Sequence, residues 1–229
     1  MQKVIKAWSF SSWKLWDTCR FAWKKRWIDG IKDSGFNPAF ARGTEIHAKA
    51  EYLVKGEIKG MPNELKIFSN EFRNLMAAGA EAETDLSITE AMKPSFGTDW
   101  DNVWCRIKVD AKVFDGHTST LIDYKTGKKY GDNQEQCGLY AVGEYVHNPK
   151  LKQVDTELWY LDLEEDNVEL HTYTVADIKK LIKMWKKRVA PMFERQDEYP
   201  PNPCHKCRFC SHASDKGGDC PYNSKGTRA

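Results

Sequence analysis

Apolar and polar positions along the chain follow two periods, and the switch between them divides it. Residues 9–29 have helical spacing and are unusually aromatic, with Trp8, Trp13, Trp16, Trp23 and Trp27 in or beside them. A loop around Phe36-Asn37-Pro38 follows. Thr44 is a good N-cap, so a helix is expected from Thr44 to about Lys55, carrying Ile46, Ala50, Leu53 and Val54 on one face. Residues 64–83 predict a second helix with Leu65, Phe68, Phe72 and Leu75 together. The period then shortens to two. In 102–114, Val103, Cys105, Ile107, Val109, Ala111 and Val113 alternate with Trp104, Arg106, Lys108, Asp110 and Lys112, which predicts a strand. Asp115-Gly116 makes it a hairpin with 119–125. Further strands are expected over 86–92, 154–162 and 168–174, with a helix over about 133–146. A last helix starts at Thr174, with Asp177 completing its cap. It buries Ile178, Leu181, Ile182, Trp185 and Val189 and exposes Lys179, Lys180, Lys183, Lys186 and Lys187. The expected class is α/β: a central mixed β-sheet flanked by helices, followed by a cysteine-rich C-terminal metal knuckle. The expected boundary puts a core at 1–200 and a tail at 201–229 that closes onto the N-terminal helix.

Composition adds little to this. A length of 229 residues with 41% hydrophobic content is ample for a real core. No apolar run approaches a membrane span, and the N-terminus lacks the apolar stretch of a signal peptide, so an intracellular, cytoplasmic protein without a membrane partner is expected. The net charge of +2 hides an asymmetry, since residues 1–32 hold eight Lys/Arg and two acids while 155–169 hold seven acids and no Lys or Arg. That suits a nucleic-acid-facing side, and equally two ordinary solvated faces.

The chemistry centres on the hairpin. Asp110 shares the polar face of its strand with Lys108 and Lys112, and Asp123 and Lys125 share a face of the next, so two carboxylates and an ammonium can meet across it. Two hard oxygens suit Mg²⁺ or Mn²⁺, and a cation held there can polarise a phosphodiester and acidify a bound water. His47 can add a nitrogen ligand, which Glu51, one turn on, can orient. Glu90 is a further candidate acid. Gln136 and Tyr140 are one helical turn apart and face the same way. Arg106, Lys108, Lys112, Lys128 and Lys129 flank the centre as candidate phosphate contacts. The N-terminal tryptophans, interleaved with Lys14, Arg20, Lys24, Lys25 and Arg26, suit either base stacking or a core.

Seven cysteines are present, and Cys204, Cys207, Cys210 and Cys220 lie in the last 26 residues. This spacing suggests metal binding rather than disulfides, with a local Zn²⁺ site of these four as one reading.

The order of these motifs resembles the PD-(D/E)XK nuclease superfamily and, within it, RecB-like exonucleases of phage and CRISPR-associated adaptation type. RGTEIHAKAE resembles the histidine helix, RIKVD the strand ending in the first aspartate, LIDYKTGK the Asp-x-Lys strand, and QCGLY the Gln-x-x-x-Tyr helix. WDTCRFAWKKR and the tail cysteines resemble the iron–sulfur staple of some members. The resemblance implies a restriction-endonuclease-like core, catalytic roles for Asp110, Asp123, Lys125, Gln136 and Tyr140, and Mg²⁺ or Mn²⁺ held by His47, Asp110, Asp123 and the Tyr124 carbonyl. It also implies a 4Fe–4S cluster on Cys19, Cys207, Cys210 and Cys220, with Cys204 spare or an alternative ligand. The substrate expected is DNA, at ends or single strands, in recombination, repair or phage replication, with a helicase or recombination protein as partner. The chain departs from the pattern where Ile107 replaces a glycine, where Cys19-Arg20-Phe21 replaces Cys-Pro-Arg, and in the tail, which has an extra Cys204 and a long gap before Cys220. A non-catalytic nuclease-like module with a zinc-stapled tail, holding DNA or a partner, is the alternative; intact Asp110, Asp123 and Lys125 argue against it.

Overall fold

A computed structural model describes residues 4–31, 37–129, 131 and 133–228; Phe36 of the expected loop lies outside them. The chain divides into two compact units, Met1–Phe36 with Lys186–Ala229, and Asn37–Trp185.

The Asn37–Trp185 unit is mixed α/β. Its first helix, α3 (Pro38–Val54), begins well before Thr44. Asn37 is the true cap: its side chain accepts from the N–H groups of Ala39 and Phe40, and Pro38 follows at the first helical position. Thr44 instead donates its hydroxyl to the Phe40 carbonyl at 3.0 Å, a mid-helix arrangement. The expected helix over 64–83 is also broken up. A 3-10 stretch (Asn63–Phe68) leads into α4 (Ser69–Ala77), which Gly79 ends at φ 67, and the chain reverses into strand β2 (Glu81–Asp85). Strand 86–92 shrinks to β3 (Ile88–Thr89), which pairs with β4 (Val103–Arg106).

The remaining strands are β5 (Lys108–Phe114), β6 (Thr118–Lys125), β7 (Gln153–Tyr160) and β8 (Val168–Thr174), with α5 (Asn133–His147) between β6 and β7. Together with β2 they form a five-stranded sheet in the order β2-β5-β6-β7-β8. β6 and β7 run parallel, and α5 supplies the crossover that a parallel pair needs; the other pairs are antiparallel. In the β5–β6 turn, Gly116 takes φ 95 and the Asp115 carboxylate accepts from the amides of His117 and Thr118. One face of the sheet buries Ile122, Tyr124 and Trp159 against Ile46, Leu53, Phe68 and Phe72 of the helical segments. Phe68 stacks on Trp159 with ring centres 5.1 Å apart. On the other face Cys137 of α5 packs with Leu158 and Tyr160. Helix α6 (Val175–Phe193) starts with Thr174 and Asp177 bonded to each other, as expected, and its five lysines face outward.

The other unit holds β1 (Trp8–Ser9), α1 (Phe10–Thr18), α2 (Arg20–Trp27), the end of α6 and the tail. The single helix expected over 9–29 is interrupted at Cys19, whose backbone is extended at φ −160 and ψ 106. Trp13, Trp16 and Trp23 are buried, which rules out base stacking for them: Trp16 meets Trp23 edge-on at 4.7 Å, and Tyr199 stacks on Trp23 at 6.2 Å. The tail folds into short 3-10 turns, and the Asn202 side chain donates to the Thr18 carbonyl at 3.0 Å. Among the described residues no helix is long and apolar enough to cross a membrane.

Candidate active site

The β5–β6 ladder runs from Phe114↔Ser119 to Ala111↔Ile122 and stops there. One residue further, the Asp110 carboxylate takes over: its Oδ2 accepts the Tyr124 backbone N–H at 2.6 Å. The strands separate where the two acids stand, and a side chain satisfies the amide that a ladder carbonyl would otherwise have bonded. Asp110 Oδ1 lies 3.1 Å from Nδ1 of His47, on α3. Glu51, expected to orient that histidine, is paired with Lys55 instead. Gly43, one turn before His47, lets α3 run close to the end of β6, where a Cβ would come within 3.2 Å of Thr126 Oγ1.

Asp123 is 6% exposed and held on both oxygens. Tyr140 donates to Oδ1 at 2.5 Å and the Lys125 ammonium pairs with Oδ2 at 2.6 Å. Lys125 also donates to Gln136 Oε1 at 2.9 Å, and Gln136 Nε2 donates to the Tyr140 hydroxyl. Residues 123, 125, 136 and 140 thus close a circuit of polar contacts, with α5 placing the last two one turn apart.

The electrostatics follow from this crowding. Burial, and then the nearby Asp123 charge, hold the Asp110 carboxyl above its ordinary value, although the hydrogen bond from His47 works the other way. Burial acts to lower His47, but the Asp110 hydrogen bond and charge outweigh it and His47 is raised. For Lys125, burial likewise acts downward, and Asp123 outweighs it, leaving the ammonium firmly charged. These groups line a cavity of about 680 Å³ shared with Phe40, Gly43, Glu83 and Thr126.

Sequence reasoning missed Glu83. It sits in β2 between the register pairs Ala82↔Ala111 and Thr84↔Val109, opposite Asp110, and its φ is 57, a left-handed conformation that costs a non-glycine residue energy. Its carboxylate faces the cavity and pairs with Lys108. Nothing in the local sequence marks that backbone. Phe40, 77% exposed on the cavity wall, was missed as well.

The proposed phosphate contacts do not share one fate. Lys112 is a correction: it is 9% exposed, with its ammonium 3.2 Å from Glu144 Oε2, close but not aligned as a hydrogen bond. A buried, paired lysine cannot reach a phosphate. Lys108 is exposed and paired with Glu83, Lys129 pairs with Asp166 and Glu169, Arg106 lies over the Trp100 ring at 4.9 Å, and Lys128 is exposed.

The cysteines divide in two. Cys105 and Cys137 are buried in the Asn37–Trp185 unit. In the other unit Cys19, Cys204, Cys207 and Cys210 line a cavity of about 360 Å³. Burial raises the Cys220 thiol, with Cys19 and Cys207 adding to the effect. Asn202 donates its backbone N–H to Cys19 Sγ at 3.5 Å, and Cys204 N–H donates to Cys207 Sγ at 3.3 Å. Among the described residues no disulfide joins any of the seven cysteines. Among the described residues no three His, Cys, Asp or Glu side chains stand in the arrangement of a metal site, either here or around Asp110. Around Asp110, His47, Tyr124 and Tyr140 hold three of the carboxylate oxygens, whereas Asp123 Oδ2 has the Lys125 ammonium at 2.6 Å but no hydrogen bond.

The family model of the PD-(D/E)XK nuclease superfamily matches residues 7–214. A solved structure of an inferred exonuclease from Eubacterium rectale is 15% identical, with a TM-score of 0.51 over 90% of this chain and 88% of that one. That likeness supports the fold. The solved structure of SSO0001 is 12% identical with a TM-score of 0.43, over 86% of this chain and 80% of that one. No curated protein matches the sequence.

Proposed function

Because the chain belongs to the PD-(D/E)XK nuclease superfamily, we propose that it is a Mg²⁺- or Mn²⁺-dependent deoxyribonuclease, acting as an exonuclease on DNA ends. The observation that carries this reading is the convergence of Asp110, Asp123 and Lys125 on one cavity at the point where the β5–β6 ladder opens. The donor set fits a hard divalent cation: two carboxylates, with His47 against one of them. Asp110 is raised by burial and by its acidic neighbour, and a bound cation relieves both costs. Asp110 and Asp123 would hold it, with His47 and the Tyr124 carbonyl as further ligands. When bound, it polarises the phosphodiester and acidifies a water. The protein's own part is positioning. Lys125 presents a fixed positive charge to the phosphoryl oxygens, Gln136 and Tyr140 fix Lys125 and Asp123, and Glu83 adds negative charge to the same cavity. Recombination, repair or phage replication is the setting that suits such an enzyme, with a helicase as partner.

The tail cysteines form a second proposed centre. Cys19, Cys204, Cys207 and Cys210 line one cavity. We favour an iron–sulfur cluster on Cys19, Cys207, Cys210 and Cys220 over a zinc site confined to the tail, because it uses the N-terminal cysteine that shares that cavity. Iron, sulfide and zinc assays on anaerobically purified wild type, Cys19→Ser and Cys204→Ser separate the two. Iron lost only in Cys19→Ser supports the cluster; zinc lost only in Cys204→Ser refutes it.

The direct test of the nuclease reading is incubation with end-labelled single- and double-stranded DNA in Mg²⁺, Mn²⁺ or EDTA. Cleavage should need the cation and fall at least about a thousandfold in Asp110→Asn, Asp123→Asn and Lys125→Ala. Wild-type rates in all three variants would sink the assignment.

A further inference from the structure

Phe40 differs in character from the rest of the cavity wall. The cavity holds carboxylates, Lys125 and Gln136, and its tyrosines, Tyr124 and Tyr140, are buried, whereas Phe40 offers an aromatic ring that is 77% exposed. Neither of the two core clusters described above includes it. Its backbone is nevertheless well fixed. The Asn37 side chain accepts its N–H at 3.2 Å, Thr44 bonds its carbonyl at 3.0 Å, and Pro38 sets the start of the helix. A ring on a rigid helix loses little entropy when a flat apolar surface packs on it.

What covers it must suit the whole cavity. Phe40 and His47 are seven residues apart on α3, two turns of one face, or about 10 Å along the axis. His47 touches Asp110. The ring therefore lies on the wall of the same cavity, two helical turns from the residue that touches Asp110. An occupant with a charged phosphate at Lys125 and a flat apolar face at Phe40 is a nucleotide whose base is free to stack. A base inside a duplex has both faces covered by its neighbours and cannot supply one.

We propose that Phe40 is a base-stacking, specificity-determining residue: it receives the nucleobase beside the scissile phosphate and so selects single-stranded or frayed DNA over an intact duplex. This rests on the nuclease reading above. Ring stacking tolerates any base, so the preference is for strandedness and not for sequence.

The test uses single-stranded oligonucleotides with 2-aminopurine at successive positions from either end, titrated in EDTA so that no cleavage intervenes. Wild type and Phe40→Tyr should quench the probe at one or two positions. Phe40→Ala should lose that quenching and bind about tenfold more weakly. An exposed ring contributes little to the fold, so circular dichroism and Tm should be unchanged in Phe40→Ala. In cleavage assays, a mismatched duplex end should speed wild type over a blunt one, and the gain should vanish in Phe40→Ala. Equal quenching and affinity in wild type and Phe40→Ala overturn the stacking role. Absence of cleavage under every metal condition overturns the nuclease reading instead, and the quenching result stands independently of it.

Discussion

Tyr140 donates its hydroxyl proton to Oδ1 of Asp123 at 2.5 Å, while Lys125 occupies the other oxygen. Burial, with the Asp123 charge adding to it, pushes the tyrosine hydroxyl well above its ordinary range, so it stays a donor at every working pH. Tyr140→Phe removes that proton and leaves a buried carboxylate oxygen unserved. The expected cost is about 1.5–3 kcal/mol in stability and about 10–100-fold in Mn²⁺ affinity or turnover. Metal titration and thermal unfolding of the variant measure both. Unchanged affinity and rate would reduce Tyr140 to a packing residue.

Lys112 and Glu144 make a second expectation, at a place where the alternating pattern misleads. Glu144 is fully buried on α5, and Asn148 donates to its other oxygen at 2.7 Å. Lys112→Ala strands that carboxylate and should cost about 3–5 kcal/mol, whereas Lys112→Met with Glu144→Leu should be close to neutral. Urea unfolding reads both. A Lys112→Ala variant that stays fully stable but binds DNA more weakly would restore the phosphate-contact role.

The contrast shows what was legible in the sequence. Period-two alternation with Asp115-Gly116 fixed the hairpin, and with it the meeting of Asp110, Asp123 and Lys125, because both strands are local and adjacent. Spacing puts Gln136 and Tyr140 on one face of their helix, and only the resemblance of QCGLY to the Gln-x-x-x-Tyr motif points that face at the site. The partner of Lys112 was not, since Glu144 comes from an element 32 residues on and only the packed sheet brings them together. The start of α3 was misplaced although Asn37-Pro38 signals it, because Gly43-Thr44 imitates a boundary. Glu83 was invisible because its backbone is set by the sheet around it, not by its neighbours in sequence.

That backbone makes Glu83 a site where stability and activity should part. A left-handed non-glycine residue costs about 1–2 kcal/mol. Glu83→Gly relieves it, so Tm should rise by about 2–4 °C, while loss of a cavity carboxylate should lower cleavage. The exposed Lys108 partner adds little to fold stability. A drop in Tm together with unchanged cleavage would remove any reason for the strain.

Asp162 gives the pH dependence. It accepts both Arg42 terminal nitrogens, at 2.8 and 2.6 Å, and the Gly127 amide at 2.7 Å, tying α3 to the segment just after Lys125. The Arg42 hydrogen bond lowers the carboxyl below its ordinary 3.8, against a smaller opposing effect of burial. A carboxyl lowered in the folded state binds protons more readily when unfolded. Its stabilisation is therefore complete at neutral pH and fades as pH falls below about 3.8. Asp162→Asn should be less stable than wild type at pH 7, by about 1 kcal/mol or less for so exposed a pair. The gap should narrow in acid. Thermal melts across pH 2.5–7 measure it; a gap that is constant across this range would contradict the assignment.

Because Asp110 accepts the Tyr124 amide in place of a strand carbonyl, it is also a piece of backbone by proxy. Alanine at this position would unzip the end of the hairpin as well as delete a charge, and a dead enzyme would then say nothing about chemistry. Asparagine keeps an acceptor for that amide, which makes it the informative substitution. Hydrogen exchange at Tyr124 is the control: protection that survives in Asp110→Asn and disappears in Asp110→Ala would separate the architectural duty of this side chain from its reactive one.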